Sequence, residues 1–439
     1  MHQQSTAMRG RVVRDIVDGN GLYFSRFATA GPYVFVGSTA VDSSGKLAAE
    51  AEVEAPYRLS PPAHATRQAE YIYDLYRERL PELGSSLDDF LQLEQYIPRK
   101  VYADGYIGVR SRYLDRDRPT TALSATGELL PEGCVLAHTG IALAPDEQHA
   151  KEILGSAEGG TDWTGIREEF SEQPPYSEVV AAGPYVFVVG DVAMDPVTQD
   201  VEAAVAVPQW IWLGSEVRNE AEFLLTRLEE YLGRAGATLA DIVHTTVYLT
   251  DIGDLFELDR VWRQRFPDAP PARTVVPVRG VGAPRFEGES LGHGDRAVKM
   301  EQLPQAIRPG FGATKEIVGS VEDAVAYESP AVKAGQLLWI SQQYAGGRRG
   351  LEPAEDTRTQ LDDVFRRLDE LCRAGGTSLD NMVRLRAFVT DPADAYRVYE
   401  SLKDAVPADP PTVAVTAVPG PLPVPGATVA VDAVVYVPE

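Results

Sequence analysis

GPYVFV at residues 31–36 returns letter for letter at 183–188, and GQLLWI stands in a similar setting at 335–340. The leading glycines Gly31, Gly183 and Gly335 are spaced by 152 residues each time. A constant period of this length in a long chain marks one structural unit made three times. In each copy the stretch after the glycine is β-branched, aromatic or leucine-rich, which predicts a strand.

The period holds further along. Ala69, Ile72, Tyr73, Tyr76 and Leu80 follow the first strand signal, Ala221, Leu224, Leu225, Leu228 and Leu232 the second, and Leu361, Val364, Phe365, Leu368 and Cys372 the third. All three sets run i, i+3, i+4, i+7, i+11, the apolar face of one α-helix. Each helix stops at glycine, and GSSLDDFLQLEQYI (84–97), GATLADIVHTTVYLTD (236–251) and GGTSLDNMVRLRAFVTD (375–391) then read as strands. A shorter helix, a Pro-rich turn and two more strands complete the unit. This is an α+β layer, with helices on one face of a mixed sheet.

The spacing predicts lobes over 1–148, 175–300 and 327–439, joined by polar linkers at 149–174 and 301–326. Gly31 to Leu87 and Gly183 to Leu239 both span 56 residues, whereas Gly335 to Leu379 spans 44. The first two copies therefore carry an insertion of 12 residues before the helix, around EAPYRLSPPAH and VPQWIWLGS. The second insertion contains Trp210 and Trp212, candidates for covering a cleft and contacting a ligand.

Composition narrows the function. With 65 acidic and 41 basic residues the formal charge is −24, which repels nucleic acid and anionic membrane surfaces. No apolar run is long enough to cross a bilayer and the first residues lack a signal-peptide core, so a cytoplasmic protein is expected. Cys134 and Cys372 lie in separate apolar elements and read as buried thiols. The six histidines show no metal-ligand spacing, and no GxGxxG, GxSxG or P-loop occurs. Neither a metal nor a cofactor is expected.

One cation stands out. In FPDAPPARTVVPV (266–278), Pro270-Pro271 bars a helix and Thr274-Val275-Val276 favours a strand, so Arg273 sits where a loop enters a sheet. A guanidinium there can clamp a carboxylate with two parallel donors.

AAGPYVFVVGDVAMD, EEYLGRAGATLADIVHTTVYLTD and FPDAPPARTVVPV together resemble the Rid family, also called YjgF/YER057c/UK114. The resemblance covers nearly the whole chain as three tandem copies and is strongest in the second. It implies chorismate-mutase-like lobes arranged as a pseudo-trimer, with a central β-barrel, helices outside and ligand clefts between lobes. It also implies a small-molecule substrate, with cofactor-independent hydrolysis of imines or enamines as the family's activity. A homo-oligomer is compatible with it.

Carried over from the family, the clamp arginine matches Arg273, the cleft tyrosine Tyr176 and the cleft serine Ser341, where the second copy has Val189. The catalytic carboxylate matches Asp432 in the third copy. The first copy has Thr139 beside His138 there, and Arg296, flanked by His293 and Asp295, is the match in the second. The first and third copies lack the arginine: their turns read RPTTALSA, with Arg118 displaced, and PPTVAVTA. On this reading no carboxylate stands beside Arg273, so His293 or Asp295 replaces it or the reaction is not imine hydrolysis, and hydrolysis of 2-iminopropionate should be weak. Tyr176, His293 and Asp432 are the catalytic candidates; Arg273, Trp210, Trp212 and Ser341 are the binding candidates. Two alternatives stay open: a cyclase or tautomerase of specialised metabolism acting on an aromatic substrate, and a ligand-binding regulator without catalysis.

Overall fold

The computed structural model describes residues 10–155, 176–194, 201–207, 214–281, 298–346, 353–354 and 356–438. The first lobe contains β1 (Val13–Gly19), β2 (Leu22–Ala30), β3 (Tyr33–Thr39), α1 (Pro61–Arg79), β4 (Phe90–Ile97), α2 (Ala103–Tyr113), β5 (Thr120–Ala125) and β6 (Ala137–Leu143). The second has β7 (Lys151–Gly155), β8 (Val179–Ala182), β9 (Tyr185–Val188), β10 (Asp191–Val192), α3 (Glu216–Arg234), β11 (Ile242–Leu249), α4 (Leu255–Arg265), β12 (Ala272–Pro277) and β13 (Met300–Ile307). The third has β14 (Lys315–Val318), β15 (Ala331–Ala334), β16 (Leu337–Tyr344), α5 (Thr357–Ala374), β17 (Met382–Val389), α6 (Ala395–Ala405), β18 (Thr412–Ala417) and β19 (Val429–Tyr436).

The three sheets share one strand order: β1-β2-β3-β6-β4-β5, β7-β8-β9-β13-β11-β12 and β14-β15-β16-β19-β17-β18, with β10 added beside β13. In each, the last two strands are parallel and joined through the short helix, while the other pairings are antiparallel. Gly31, Gly183 and Gly335 have φ of 58°, 53° and 56°, the left-handed conformation that closes each hairpin and that only glycine adopts freely.

Alternation along the strands divides the core. In β3, Val34 and Val36 pack toward the helices together with Ala69, Ile72 and Tyr76, whereas Tyr33 and Phe35 point the other way. There they meet Tyr185 and Phe187 of the second lobe and Leu337 and Trp339 of the third, so one apolar cluster is built from all three sheets. The helix stripes read from the sequence are the buried faces of α1, α3 and α5.

The lobes contact one another in a cycle. Ser177 N–H donates to Pro119 O at 3.0 Å, Ser329 N–H to Pro271 O at 3.2 Å, and Ser25 N–H to Pro411 O at 2.9 Å. One hydrogen bond thus recurs at the first-to-second, second-to-third and third-to-first interfaces. Among the described residues the expected closed barrel is not found: their strands form three separate ladders rather than one continuous sheet. Side chains and isolated backbone contacts join the sheets where a ladder would have to.

The stretches expected to be linkers carry strands. β7 pairs with β8, β14 with β15, and β13 runs to Ile307 at the centre of its sheet. The sequences KEILG and KEIV hide their strand character because edge strands alternate charge with apolar residues. Among the described residues no helix is long and apolar enough to cross a membrane.

Candidate functional site

Arg273 is the second residue of β12, and the strand carries it into the interface between the second and third lobes. Its N–H donates to Ser341 Oγ on β16 at 2.8 Å, and that hydroxyl donates to Ser329 O at 2.6 Å. The side chain is 0% exposed. Its Nε donates to Glu328 Oε2 at 3.2 Å and its Nη2 to Asp259 Oδ1 at 2.6 Å, while the guanidinium lies 5.1 Å over the Trp262 ring. The third nitrogen, Nη1, is buried without a hydrogen-bond partner. Further along the same pair of strands Gln342 Oε1 accepts from Val275 N–H at 3.1 Å and from Tyr344 Oη at 2.6 Å, leaving the buried Gln342 Nε2 unused.

Two carboxylates therefore stand where the sequence reading placed none. Asp259 comes from α4, and its Oδ2 accepts from Tyr327 N–H at 3.2 Å. Glu328 comes from the neighbouring lobe. Burial pushes the Glu328 carboxyl up to about 7, Asp259 adds to the rise, and Arg273 opposes it. For Arg273 burial works against the charge, but Asp259 and Glu328 outweigh it and hold the guanidinium firmly protonated. A pocket of about 450 Å³ opens on Asp259 and is lined by Leu255, Phe256, Val325, Leu422 and Pro423. Asp259 thus lies between the pocket and the buried arginine.

Arg273 and Ser341 are brought together as the resemblance implied; the other candidates are not. Successive side chains of a strand face opposite ways, so Thr274 turns from Arg273 and donates to Asp432 Oδ2 at 2.7 Å. Asp432 is 1% exposed and paired with Arg386 Nη2 at 2.7 Å. Burial raises its pKa, yet the Arg386 guanidinium wins and holds it below the usual carboxylate value. Tyr176 belongs to the interface of the first and second lobes, next to Ser177, whose hydroxyl donates to Arg118 O at 2.6 Å. His293, Arg296, Trp210 and Trp212 lie outside the described residues. The register corrects the match of Arg296 with the catalytic position: Arg386 faces Asp432, and the corresponding Thr246 faces Leu303.

Glu328 was legible in the period itself. Residue 328 is 152 beyond Tyr176, just as Ser329 is 152 beyond Ser177. The third lobe therefore offers a carboxyl at the place where the second has a phenol. Among the described residues no group of three His, Cys, Asp or Glu side chains is arranged to hold a metal ion.

A family model described as endoribonuclease L-PSP matches residues 167–289 and 320–437, more than half of the chain. The chain belongs to this family, the Rid family. The first lobe lies outside the match but has the same strand order as the other two. A RutC family protein of Pyrococcus abyssi is 29% identical over 104 residues, covering 24% of this chain and 73% of its own. The 2-iminobutanoate/2-iminopropanoate deaminase of Bos taurus is 32% identical over 104 residues, 24% of this chain and 68% of its own. The crystal structure of RidA from a Psychrobacter species aligns at 26% identity and a TM-score of 0.26, covering 28% of this chain and 99% of that one. The two sequence relatives are each matched over about a quarter of this chain.

Proposed function

We propose that the chain is a pseudo-threefold fusion of Rid lobes that hydrolyses a small imine or enamine acid, without a cofactor, where the second lobe meets the third. The observation that carries this reading is Glu328: a buried carboxyl with a pKa of about 7, bonded to a guanidinium that keeps one donor free. A general base works best when its pKa lies near the operating pH.

The steps follow from these groups. The substrate's carboxylate takes the free Nη1 of Arg273 and competes with Asp259 for the guanidinium. Ionised Glu328 accepts a proton from a water as the water oxygen bonds to the imine carbon. Glu328 passes that proton to the imine nitrogen to give a carbinolamine. It then carries the carbinolamine's hydroxyl proton to the amino group as the C–N bond breaks and the C=O bond forms, so that ammonia and a 2-oxo acid leave. The apolar pocket beyond Asp259 suits a substrate with an apolar side chain larger than methyl. Two further facts support the reading: a deaminase of this type is among the relatives, and a formal charge of −24 speaks against the RNA substrate that the family model's description suggests.

The test generates 2-imino acids in situ with an amino-acid oxidase acting on leucine or phenylalanine and follows 2-oxo acid release. The wild type should accelerate release, and Glu328→Gln should lower the rate by roughly 10²-fold or more, the usual worth of a general base. No acceleration by the wild type, or an equal rate in Glu328→Gln, contradicts the proposal.

A further inference from the structure

The interface of the first and second lobes holds a second guanidinium, delivered by a different element. Thr121 on β5 occupies the place of Arg273: Leu93 pairs with Thr121 in register as Thr245 pairs with Arg273. Arg110 on α2 occupies the place of Trp262 on α4. The arginine has moved from strand to helix, and the bond between them shows where it points: Arg110 Nη1 donates to Thr121 Oγ1 at 3.0 Å. In the third lobe the two places hold Leu402 and Val413, so that pair is apolar.

Arg110 differs from Arg273 in its charge balance. It is 4% exposed, lies 5.5 Å over the Tyr106 ring, and has no carboxylate in ion-pair contact among the described residues. Its Nε is buried without a partner. Thr121 Oγ1 in turn donates to Gln95 Oε1 at 3.0 Å, and the buried Gln95 Nε2 also has no partner. Two side chains that meet at one hydroxyl therefore each keep an unused buried donor, one of them cationic. A buried charge without a counter-ion is costly, and so is each buried donor left unpaired. With Nη1 committed to Thr121, the unpartnered Nε belongs to the Nε–Nη2 edge, whose two parallel N–H groups match the geometry of a carboxylate.

The second lobe supplies the opposite wall. Tyr176 feels Arg110 across the interface: burial pushes its phenol up to about 12, Asp191 and Glu178 add to the rise, and Arg110 and Arg227 oppose it. Asp191 accepts from Arg227 at 2.9 Å through Oδ1, while its Oδ2 is buried and unpartnered. Gly190 N–H donates to Thr121 O at 3.0 Å and fixes the two walls against each other.

We infer that Arg110, Gln95 and Thr121 form a binding site for a small monocarboxylate at the first-to-second interface, separate from the Arg273 site. The inference does not depend on hydrolysis at Glu328. The test titrates the full chain with pyruvate by calorimetry, with pyruvamide as the uncharged control, and measures the melting temperature without ligand. Wild type should bind pyruvate and not pyruvamide. Arg110→Met should remove one class of sites or weaken it about tenfold or more, and Thr121→Val should weaken it several-fold. Unliganded Arg110→Met should melt at or above the wild-type temperature, because an unpaired buried charge has been removed, whereas a purely structural arginine would lower it. Unchanged pyruvate affinity in both variants, or a wild type with no Arg110-dependent binding, overturns the inference. Because the readout is binding, a chain without hydrolytic activity tests it equally well.

Discussion

At the residue scale the candidate site turns on three side chains. Arg273 was legible in the sequence because a proline pair and a β-branched run bracket it, and Ser341 was legible through the family resemblance. Asp259 was not, and Glu328 was legible only through the 152-residue period, which sets it against Tyr176. Glu328 precedes β15, just beyond the stretch at 301–326 that reads as a polar linker, and Asp259 faces Arg273 only because β12 and α4 pack together, a contact no local pattern encodes. The two carboxylates have different tasks. Glu328 is 4% exposed and bonds to Nε, whereas Asp259 reaches the pocket and holds Nη2, where an acid substrate of the proposed kind would compete with it. Asp259→Asn should therefore tighten binding of 4-methyl-2-oxopentanoate, about tenfold for a charge-assisted competitor removed. Calorimetric titration that shows weaker binding would mean that Asp259 positions the arginine rather than guards it.

At the element scale, what the sequence revealed depended on periodicity. Helices α1, α3 and α5 have clean stripes and are where the spacing predicts them, while β7 and β14 are short charged edges without an apolar run. The exchange of arginine between β12 and α2 was hidden for a related reason. The two positions are far apart in sequence, and only their side chains converge. How closely the elements approach is set at Gly190. A Cβ there would collide with Glu301 Oε1 and lie 2.8 Å from Ala122 Cβ, both closer than carbon tolerates, and 3.0 Å from Thr121 O. Gly190→Ala should force the second lobe's strand off β5 and cost about 1 to 3 kcal/mol, the usual penalty for overpacking. Urea unfolding followed by circular dichroism measures it, and an unchanged midpoint would show that the interface yields.

At the scale of the whole molecule the three lobes meet around unlike residues. The matching positions in β4, β11 and β17 hold Glu94, Thr246 and Arg386. Arg386 is bonded to Glu94, to Thr246 Oγ1 at 3.0 Å and to Asp432, and Tyr248 Oη donates to Glu94 Oε2 at 3.0 Å. Three copies of the first lobe would place three carboxylates together, and three of the third would gather three guanidiniums. The network thus ties the first, second and third lobes into one heterotypic assembly. Arg386→Met would leave Glu94 and Asp432 buried and without that partner, and should cost about 3 to 5 kcal/mol. Wild type should unfold in a single calorimetric transition, because the lobes share a core; separate transitions for the lobes would refute this. The fused arrangement leaves each interface free to diverge, and the second-to-third interface is where Arg273 and Glu328 meet. The most direct test of the catalytic role proposed for them is the pH dependence of kcat/KM for 2-imino acid hydrolysis. With Glu328 near 7, the rate should climb as pH rises through about 7 and level off above it, because only the ionised carboxyl accepts a proton from water. Glu328→Gln should abolish that rise, and a profile in which the rise through pH 7 persists in Glu328→Gln would contradict the account.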